Sequence, residues 1–61
     1  MENKRNVLVI EYIGENSKHI DLTQGKQYDV ITVNRLGWYR IIDDSGDDYL
    51  YPPEMFSVAE Q

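Results

Sequence analysis

The stretch DDSGDD, at positions 43 to 48, is the densest group of potential ligand side chains in the sequence. Acids at alternate positions are typical of a calcium loop, which places a glycine sixth in the loop. Asp43, Ser45 and Asp47 do alternate, but Gly46 comes fourth in the run. A hairpin turn accounts for the same residues, because aspartate and glycine tolerate turn conformations and acids keep the tip hydrated. We therefore predict a turn and no metal site, with weak cation binding as the alternative.

A second candidate for chemistry is His19, the single histidine, which follows Ser17 by two residues. A nucleophilic site needs a placed acid and oxyanion donors besides a serine and a histidine. The sequence has no cysteine, and it shows no glycine-rich phosphate loop, paired-carboxylate cleft or nucleophile elbow. We predict that the protein is not an enzyme and that it uses no cofactor.

Aromatic side chains are the third group with functional potential. Trp38 is the only tryptophan, and it precedes Tyr39, one of five tyrosines. Adjacent residues of a strand face opposite ways, so we expect one of the pair to meet solvent or a partner. Aromatic residues are enriched at binding hot spots. The alternative is that Trp38 only covers a neighbouring strand, and the sequence does not separate the two.

Size and charge restrict the class of protein. The chain has 61 residues, so we expect one small domain, 1–61, with a net charge of -5 from eleven acids and six bases. Direct nucleic-acid binding needs the opposite charge, and Lys4 and Arg5 are the only adjacent bases. The longest apolar run, residues 6–13, is too short to span a membrane and resembles no secretion signal. We expect a cytoplasmic protein without membrane contact.

The sequence predicts that the elements that position these residues are β-strands. β-branched and alternating segments predict five of them, at 7–13, 27–33, 37–43, 48–52 and 56–59. Gly25, the segment 34–37 and DDSGDD supply turns between them, and the two prolines suit a short 3-10 turn. So small an all-β chain cannot leave one side of an open sheet exposed, so we expect a sheet that bends into a small barrel.

Three segments resemble motifs of the Src homology 3 (SH3) fold: DLTQGKQYDVI, GWYRI and YPPEMFSV. In that family an acid-leucine pair leads to a glycine turn, Gly-Trp-aromatic opens the third strand, and a proline turn precedes an aromatic. The resemblance covers residues 7 to 58 and implies a five-stranded SH3-like barrel with a 3-10 turn near 53–55. It further implies that 14–24 and 33–37 flank a ligand groove, and that 43–48 lies far from it.

The family's groove is a row of aromatics on which a proline-rich peptide lies. By resemblance Tyr12 and Trp38 belong to that row, although Ile10 stands where its first tyrosine belongs. Two registers remain for the last aromatic. Aligning Pro53 with the family proline places Phe56 in the groove, whereas aligning Pro52 places Phe56 and Tyr51 in the core and Met55 in the groove.

The leading hypothesis is a non-catalytic protein-interaction module of the small, free-standing bacterial or bacteriophage type. Its contact residues are expected to be Tyr12, Trp38, Met55 and Phe56, with an acidic rim of Glu11, Glu15 and Asp21 that favours a basic protein or peptide. One alternative is an acidic inhibitor that mimics nucleic-acid charge. GWYRI is also similar to modules that bind cell-wall peptides, but the early motif and secretion signal of those modules are missing here. Pairing of exposed edge strands between copies is the remaining alternative.

Overall fold

A computed structural model describes residues 8–59, which form an all-β structure of two three-stranded antiparallel sheets. The strands are β1 (Val9–Tyr12), β2 (Gln27–Asp29), β3 (Thr32–Val33), β4 (Tyr39–Ile42), β5 (Asp48–Tyr51) and β6 (Phe56–Val58). The sheets have the orders β2-β1-β6 and β3-β4-β5. The predicted basic pair Lys4–Arg5, the first residue of the predicted strand 7–13 and the ends of the predicted domain 1–61 lie outside the described residues.

The prediction of five strands is wrong, because the predicted strand 27–33 is divided between the two sheets. The N–H of Val30 donates to Leu8 O at 2.9 Å, beside the first sheet. The N–H of the next residue, Ile31, donates to Arg40 O at 2.8 Å, in the second sheet. The chain therefore changes sheets between two consecutive residues, and residues 8–59 contain six strands.

The predicted closed barrel is also wrong, since the two sheets do not join into one ladder. On one side the chain crosses at the Val30–Ile31 bend. On the other side β5 and β6 are separated by Pro52 and a 3-10 turn over Pro53–Met55. Proline has no N–H to donate to a ladder, so hydrogen bonding between strands is interrupted here. The 3-10 turn itself lies where the prolines predicted it.

Two hairpin turns share one construction. In the turn between β3 and β4, Asn34 O accepts from Gly37 N–H at 2.9 Å, and in the turn between β4 and β5, Asp43 O accepts from Gly46 N–H at 3.0 Å. Each turn ends on a glycine with positive φ, +86° at Gly37 and +92° at Gly46. Only glycine adopts this backbone without strain, which explains both positions. The predicted turns at 34–37 and 43–48 are confirmed.

The core lies between the sheets and is centred on one aromatic ring. Phe56 is 7% exposed, and its ring centroid lies 5.8 to 6.5 Å from those of four tyrosines, Tyr12, Tyr28, Tyr39 and Tyr51. These distances and tilted orientations are those that aromatic pairs favour. The fully buried aliphatic side chains Ile10 and Ile41 come from the central strands β1 and β4, one from each sheet.

The alternation predicted for 37–43 holds in β4 and its flanks. Tyr39 packs against the core and Ile41 and Asp43 are buried, whereas Trp38 and Ile42 are exposed. One of the two neighbouring aromatics thus meets solvent, as the strand geometry predicts. No helix among residues 8–59 has both the length and the apolar character needed to cross a membrane.

Candidate functional site

The turn between β3 and β4 concentrates exposed apolar side chains. Residues 33–38, named here the hairpin apex, include Val33, Leu36 and Trp38, which are 51%, 74% and 37% exposed. Large apolar side chains in contact with water favour a site where another molecule covers them. The apex is therefore the candidate contact surface of this protein.

Asn34 holds the apex in one conformation. Its Oδ1 accepts hydrogen bonds from the N–H groups of Leu36 and Trp38, both at 2.9 Å. Its own N–H donates to Trp38 O at 3.0 Å. One short side chain thus satisfies two turn amides, which is why asparagine is favoured at the start of such turns. Leu36 and Trp38 therefore project from a backbone that hydrogen bonds hold in place.

The rest of the chain does not cover the strand and glycine at the apex. In a strand that lies on a core, alternate residues are buried. In β3 both Thr32 and Val33 are exposed, so neither face of this strand is covered. A Cβ added to Gly37 would meet nothing within 4 Å. The apex thus presents its side chains to solvent from more than one side.

The aromatic residues predicted to share a groove with Trp38 lie elsewhere. Tyr12 and Phe56 face each other across the β1–β6 pairing, and they are 4% and 7% exposed. The structure places both rings in the core and leaves them almost no surface for a partner. Met55 is half-buried and packs against that core. Of the four predicted contact residues, Trp38 alone belongs to the exposed apolar residues.

This burial agrees with the register in which Pro52 matches the family proline. In that register Phe56 and Tyr51 are core residues. Phe56 is buried and Tyr51 packs against the core. The other register implies a groove position for Phe56, and the burial of Phe56 is contrary to that expectation. Met55, which the Pro52 register implies in the groove, packs against the core as well.

The predicted acidic rim is dispersed over two elements. Glu11 is half-buried within β1, opposite Gln27 and Ser57. Glu15 and Asp21 are exposed in the long connection between β1 and β2. The Tyr12 hydroxyl donates to Glu15 O at 2.8 Å, so Glu15 is held through its backbone and its carboxylate remains at the surface.

The DDSGDD turn does more than separate two strands. The carboxylate of Asp44 accepts from Thr23 Oγ1 at 2.7 Å, Lys26 Nζ at 2.8 Å and the Tyr28 hydroxyl at 3.0 Å. The Asp44 N–H donates to Asp21 O at 2.9 Å. Three of these hydrogen bonds fasten the turn to the end of the long connection, and the one from Tyr28 fastens it to β2. Hydrogen bonds from Lys26 and Thr23 lower the pKa of Asp44, and the hydrogen bond to Asp44, followed by its negative charge, raises the pKa of Lys26.

Asp43 is the buried acid of the same turn, 5% exposed. It accepts hydrogen bonds from the Tyr51 hydroxyl at 2.6 Å and from both the N–H and the hydroxyl of Ser45. Burial acts to raise the pKa of Asp43, but the hydrogen bonds from Ser45 and Tyr51 outweigh it, so the pKa lies below its usual value. Its carboxylate therefore accepts hydrogen bonds from neighbouring residues of the same chain. Among residues 8–59, no three His, Cys, Asp or Glu side chains form a group that could hold a metal ion.

Sequence reasoning missed two residues of the apex, Asn34 as the residue that orders it and Leu36 as its most exposed apolar side chain. The signal for the first is present in the sequence, since an asparagine three residues before a glycine is typical of this turn. The signal for Leu36 is the predicted turn 34–37, because a residue inside a surface turn is exposed whatever its type.

Comparison with known proteins finds no family model, no curated protein and no solved structure that matches this chain.

Proposed function

We propose that this chain is a non-catalytic protein-interaction module that contacts its partner through the hairpin apex. One observation carries the proposal: Trp38 and Leu36 are exposed on a turn whose backbone Asn34 holds in place. Binding a rigid element loses less conformational entropy than ordering a flexible one. A tryptophan on such an element is the kind of residue that dominates binding energy.

The resemblance of the sequence to SH3 domains of small bacterial or bacteriophage type supports an interaction role, although not the family's aromatic groove. Two rings expected in that groove, those of Tyr12 and Phe56, are core residues here. The contact surface therefore shifts to the apex and to the exposed acids beside the long connection.

A basic partner fits the charge of the chain. The sequence has eleven acidic and six basic residues. Two of those bases are already engaged, since Lys26 pairs with Asp44 and Arg40 with Asp48. Complementary charge accelerates encounter and selects against acidic competitors.

Charge mimicry of nucleic acid has weaker support. Such an inhibitor has to display its carboxylates to a basic enzyme surface. Asp43 and Asp44 are instead held by internal donors, and Asp48 pairs with Arg40. We keep this function as an outcome of the binding experiment, in which it would appear as affinity that collapses with added salt and is insensitive to Trp38.

The experiment is capture of the partner from the cells that contain this protein, followed by titration with the purified partner. We expect Trp38→Ala to weaken binding by about thirtyfold, the effect of losing a hot-spot side chain. We expect Leu36→Ala to weaken it less. Ile42→Ala is the matched control, because Ile42 is 55% exposed on β4 but lies outside the apex.

Each variant is also unfolded thermally. A thermal midpoint near that of the wild type, together with weakened binding by Trp38→Ala, supports the apex as the contact surface. Equal affinity of the wild type and Trp38→Ala, or an equal loss in Ile42→Ala, contradicts it. A large fall in the midpoint of Trp38→Ala would assign that ring to the stability of the fold.

A further inference from the structure

A shallow depression lies beside β5, on the opposite edge of the second sheet from β3. It is lined by His19, Ile20, Asp21, Asp43, Tyr49, Leu50 and Tyr51 and is named here the β5 cleft. Its walls mix apolar and aromatic side chains with carboxylates. Tyr49 is 51% exposed, so an aromatic ring is open to contact at the cleft.

Asp21 is the carboxylate of the β5 cleft that faces solvent. Asp43 is buried and holds Ser45 and Tyr51, whereas Asp21 is exposed and uses its backbone oxygen to bind the Asp44 N–H. Burial and the hydrogen bond to Asp43 raise the pKa of Tyr51, and the negative charges of Asp43 and Asp21 add smaller contributions in the same direction. An exposed carboxylate beside an exposed tyrosine suits a guanidinium, which pairs with the first and stacks on the second.

The hairpin apex has the complementary composition. Arg35 is its one charged residue, and Leu36 and Trp38 supply apolar surface on either side of Gly37. We propose that a second copy of this chain is a partner of the apex, with Arg35 and Leu36 of one copy seated in the β5 cleft of the next. Arg35 pairs with Asp21 and lies against Tyr49. This inference rests on the proposed role of the apex and adds a second contact, distinct from the basic partner proposed above.

The net charge of -5 opposes self-association, so the contact is weak and local. At physiological salt the screening length is about 8 Å, so repulsion between charges farther apart than that is largely screened. The Arg35–Asp21 pair lies within it. The attraction between the apex and the cleft therefore survives where the general repulsion is screened, and we expect self-association to appear at high protein concentration only.

The sheet order predicts the kind of assembly. The apex joins β3 to β4, and the β5 cleft lies beside the opposite edge strand. A contact between two different surfaces is head-to-tail, so it forms a ring or a growing chain rather than a simple two-fold dimer. The mean mass should therefore rise continuously with concentration.

The test is analytical ultracentrifugation from about 10 µM to about 1 mM, the range of weak association. We expect the wild type to associate and the charge reversals Arg35→Asp and Asp21→Arg each to weaken association at least about tenfold. An equimolar mixture of these two variants should associate again, because each apex then meets a cleft of opposite charge in the other variant. Both residues are exposed, so we expect unchanged thermal midpoints.

Two controls match the changes in net charge. Lys18→Asp matches Arg35→Asp, and Glu54→Arg matches Asp21→Arg, at exposed positions of the long connection and the 3-10 turn. A mixture of these two control variants should associate to the same extent as each variant does alone. The inference is overturned if the wild type remains monomeric at about 1 mM. It is equally overturned if the mixture of Arg35→Asp and Asp21→Arg fails to associate. Capture of another protein by the apex would stand despite that result, since it is measured separately with Trp38→Ala.

Discussion

The rings of Tyr12 and Phe56 occupy directly opposite positions of β1 and β6, with their centroids 5.8 Å apart. Phe56 is also within 6.5 Å of three further tyrosine rings. Its removal therefore opens a cavity where both sheets meet. We expect Phe56→Ala to lower the free energy of unfolding by about 3–5 kcal/mol, measured by urea denaturation.

Leucine fills part of that cavity, so Phe56→Leu should lower the free energy of unfolding by less than Phe56→Ala does. Val58→Ala is the matched control on the same strand, because Val58 is 62% exposed and should change stability by less than about 0.5 kcal/mol. A small effect of Phe56→Ala would show that the core is not centred on this ring.

Gly14 lies against the ring of Tyr12. A Cβ at this position would lie 2.6 Å from Tyr12 Oη and 2.8 Å from the nearest ring carbon. The ring cannot move away freely, because it is buried and its hydroxyl is bonded to Glu15 O. We expect Gly14→Ala to destabilise the fold by about 1–3 kcal/mol, measured by thermal or urea unfolding.

The Tyr12→Phe variant tests the cause of that loss. Without the hydroxyl the shortest contact is removed, so Gly14→Ala should destabilise less in the Tyr12→Phe background than alone. Gly46→Ala serves as control, since its φ of +92° makes the substitution strained although an added Cβ would meet no atom within 4 Å. This control should lose the same stability in the wild-type and Tyr12→Phe backgrounds. If Gly14→Ala also loses the same stability in both backgrounds, the contact with Tyr12 is excluded as the cause.

Most strands and turns of this fold are predictable because their causes are local. Gly25, Gly37 and Gly46 mark turns by their own conformational freedom, and all three have positive φ. The division of 27–33 is not local. Its alternation is continuous in the sequence, and the bend is set by hydrogen bonds of Val30 to Leu8, just before β1, and of Ile31 to Arg40 in β4. The barrel prediction failed for the same reason.

The Asp43–Asp44 pair should make the stability of the protein sensitive to acid. Hydrogen bonds from Lys26 and Thr23 hold the pKa of Asp44 below its usual value of 3.8, and those from Ser45 and Tyr51 lower the pKa of Asp43 against the effect of burial. A lowered pKa in the folded state stabilises the fold fully above about pH 4, and the contribution is lost as the pH falls through the lowered pKa. The free energy of unfolding should therefore decline below about pH 4.

We expect Asp44→Asn to reduce stability at pH 7 and to flatten the decline between about pH 5 and pH 2, measured by urea unfolding over that range. Glu54→Gln removes an exposed carboxylate and controls for the change in net charge. A decline as steep in Asp44→Asn as in the wild type would show that this carboxylate has no part in the acid response.

Asn34 should control the order of the apex with little effect on the core. Asn34→Ala removes the acceptor of the Leu36 and Trp38 N–H groups, so we expect both amides to exchange hydrogen faster by NMR. Asn34→Asp keeps an acceptor at the same position and should restore slow exchange. The amide of Ile41 in β4 reports on the sheet, and acceleration there as well would indicate general unfolding rather than release of the apex.

The candidate site was predictable only in part. Strand alternation predicted that one of Trp38 and Tyr39 meets solvent, and the structure shows that the exposed one is Trp38 while Tyr39 packs against the core. The burial of Tyr12 was not predictable, because tyrosine suits a groove and a core equally well, and its neighbour Phe56 is brought to it by a pairing between distant strands.

The pairing of β1 with β6 joins Ile10 to Val58, whereas β3, β4 and β5 follow one another along the chain. Contacts between residues distant in sequence form late, since a long loop must close before they stabilise anything. We therefore expect the β3–β4–β5 meander to form the folding nucleus and the docking of β6 on β1 to come last. Substitutions in β4 should slow refolding, while those in β6 should chiefly accelerate unfolding, as stopped-flow kinetics would resolve.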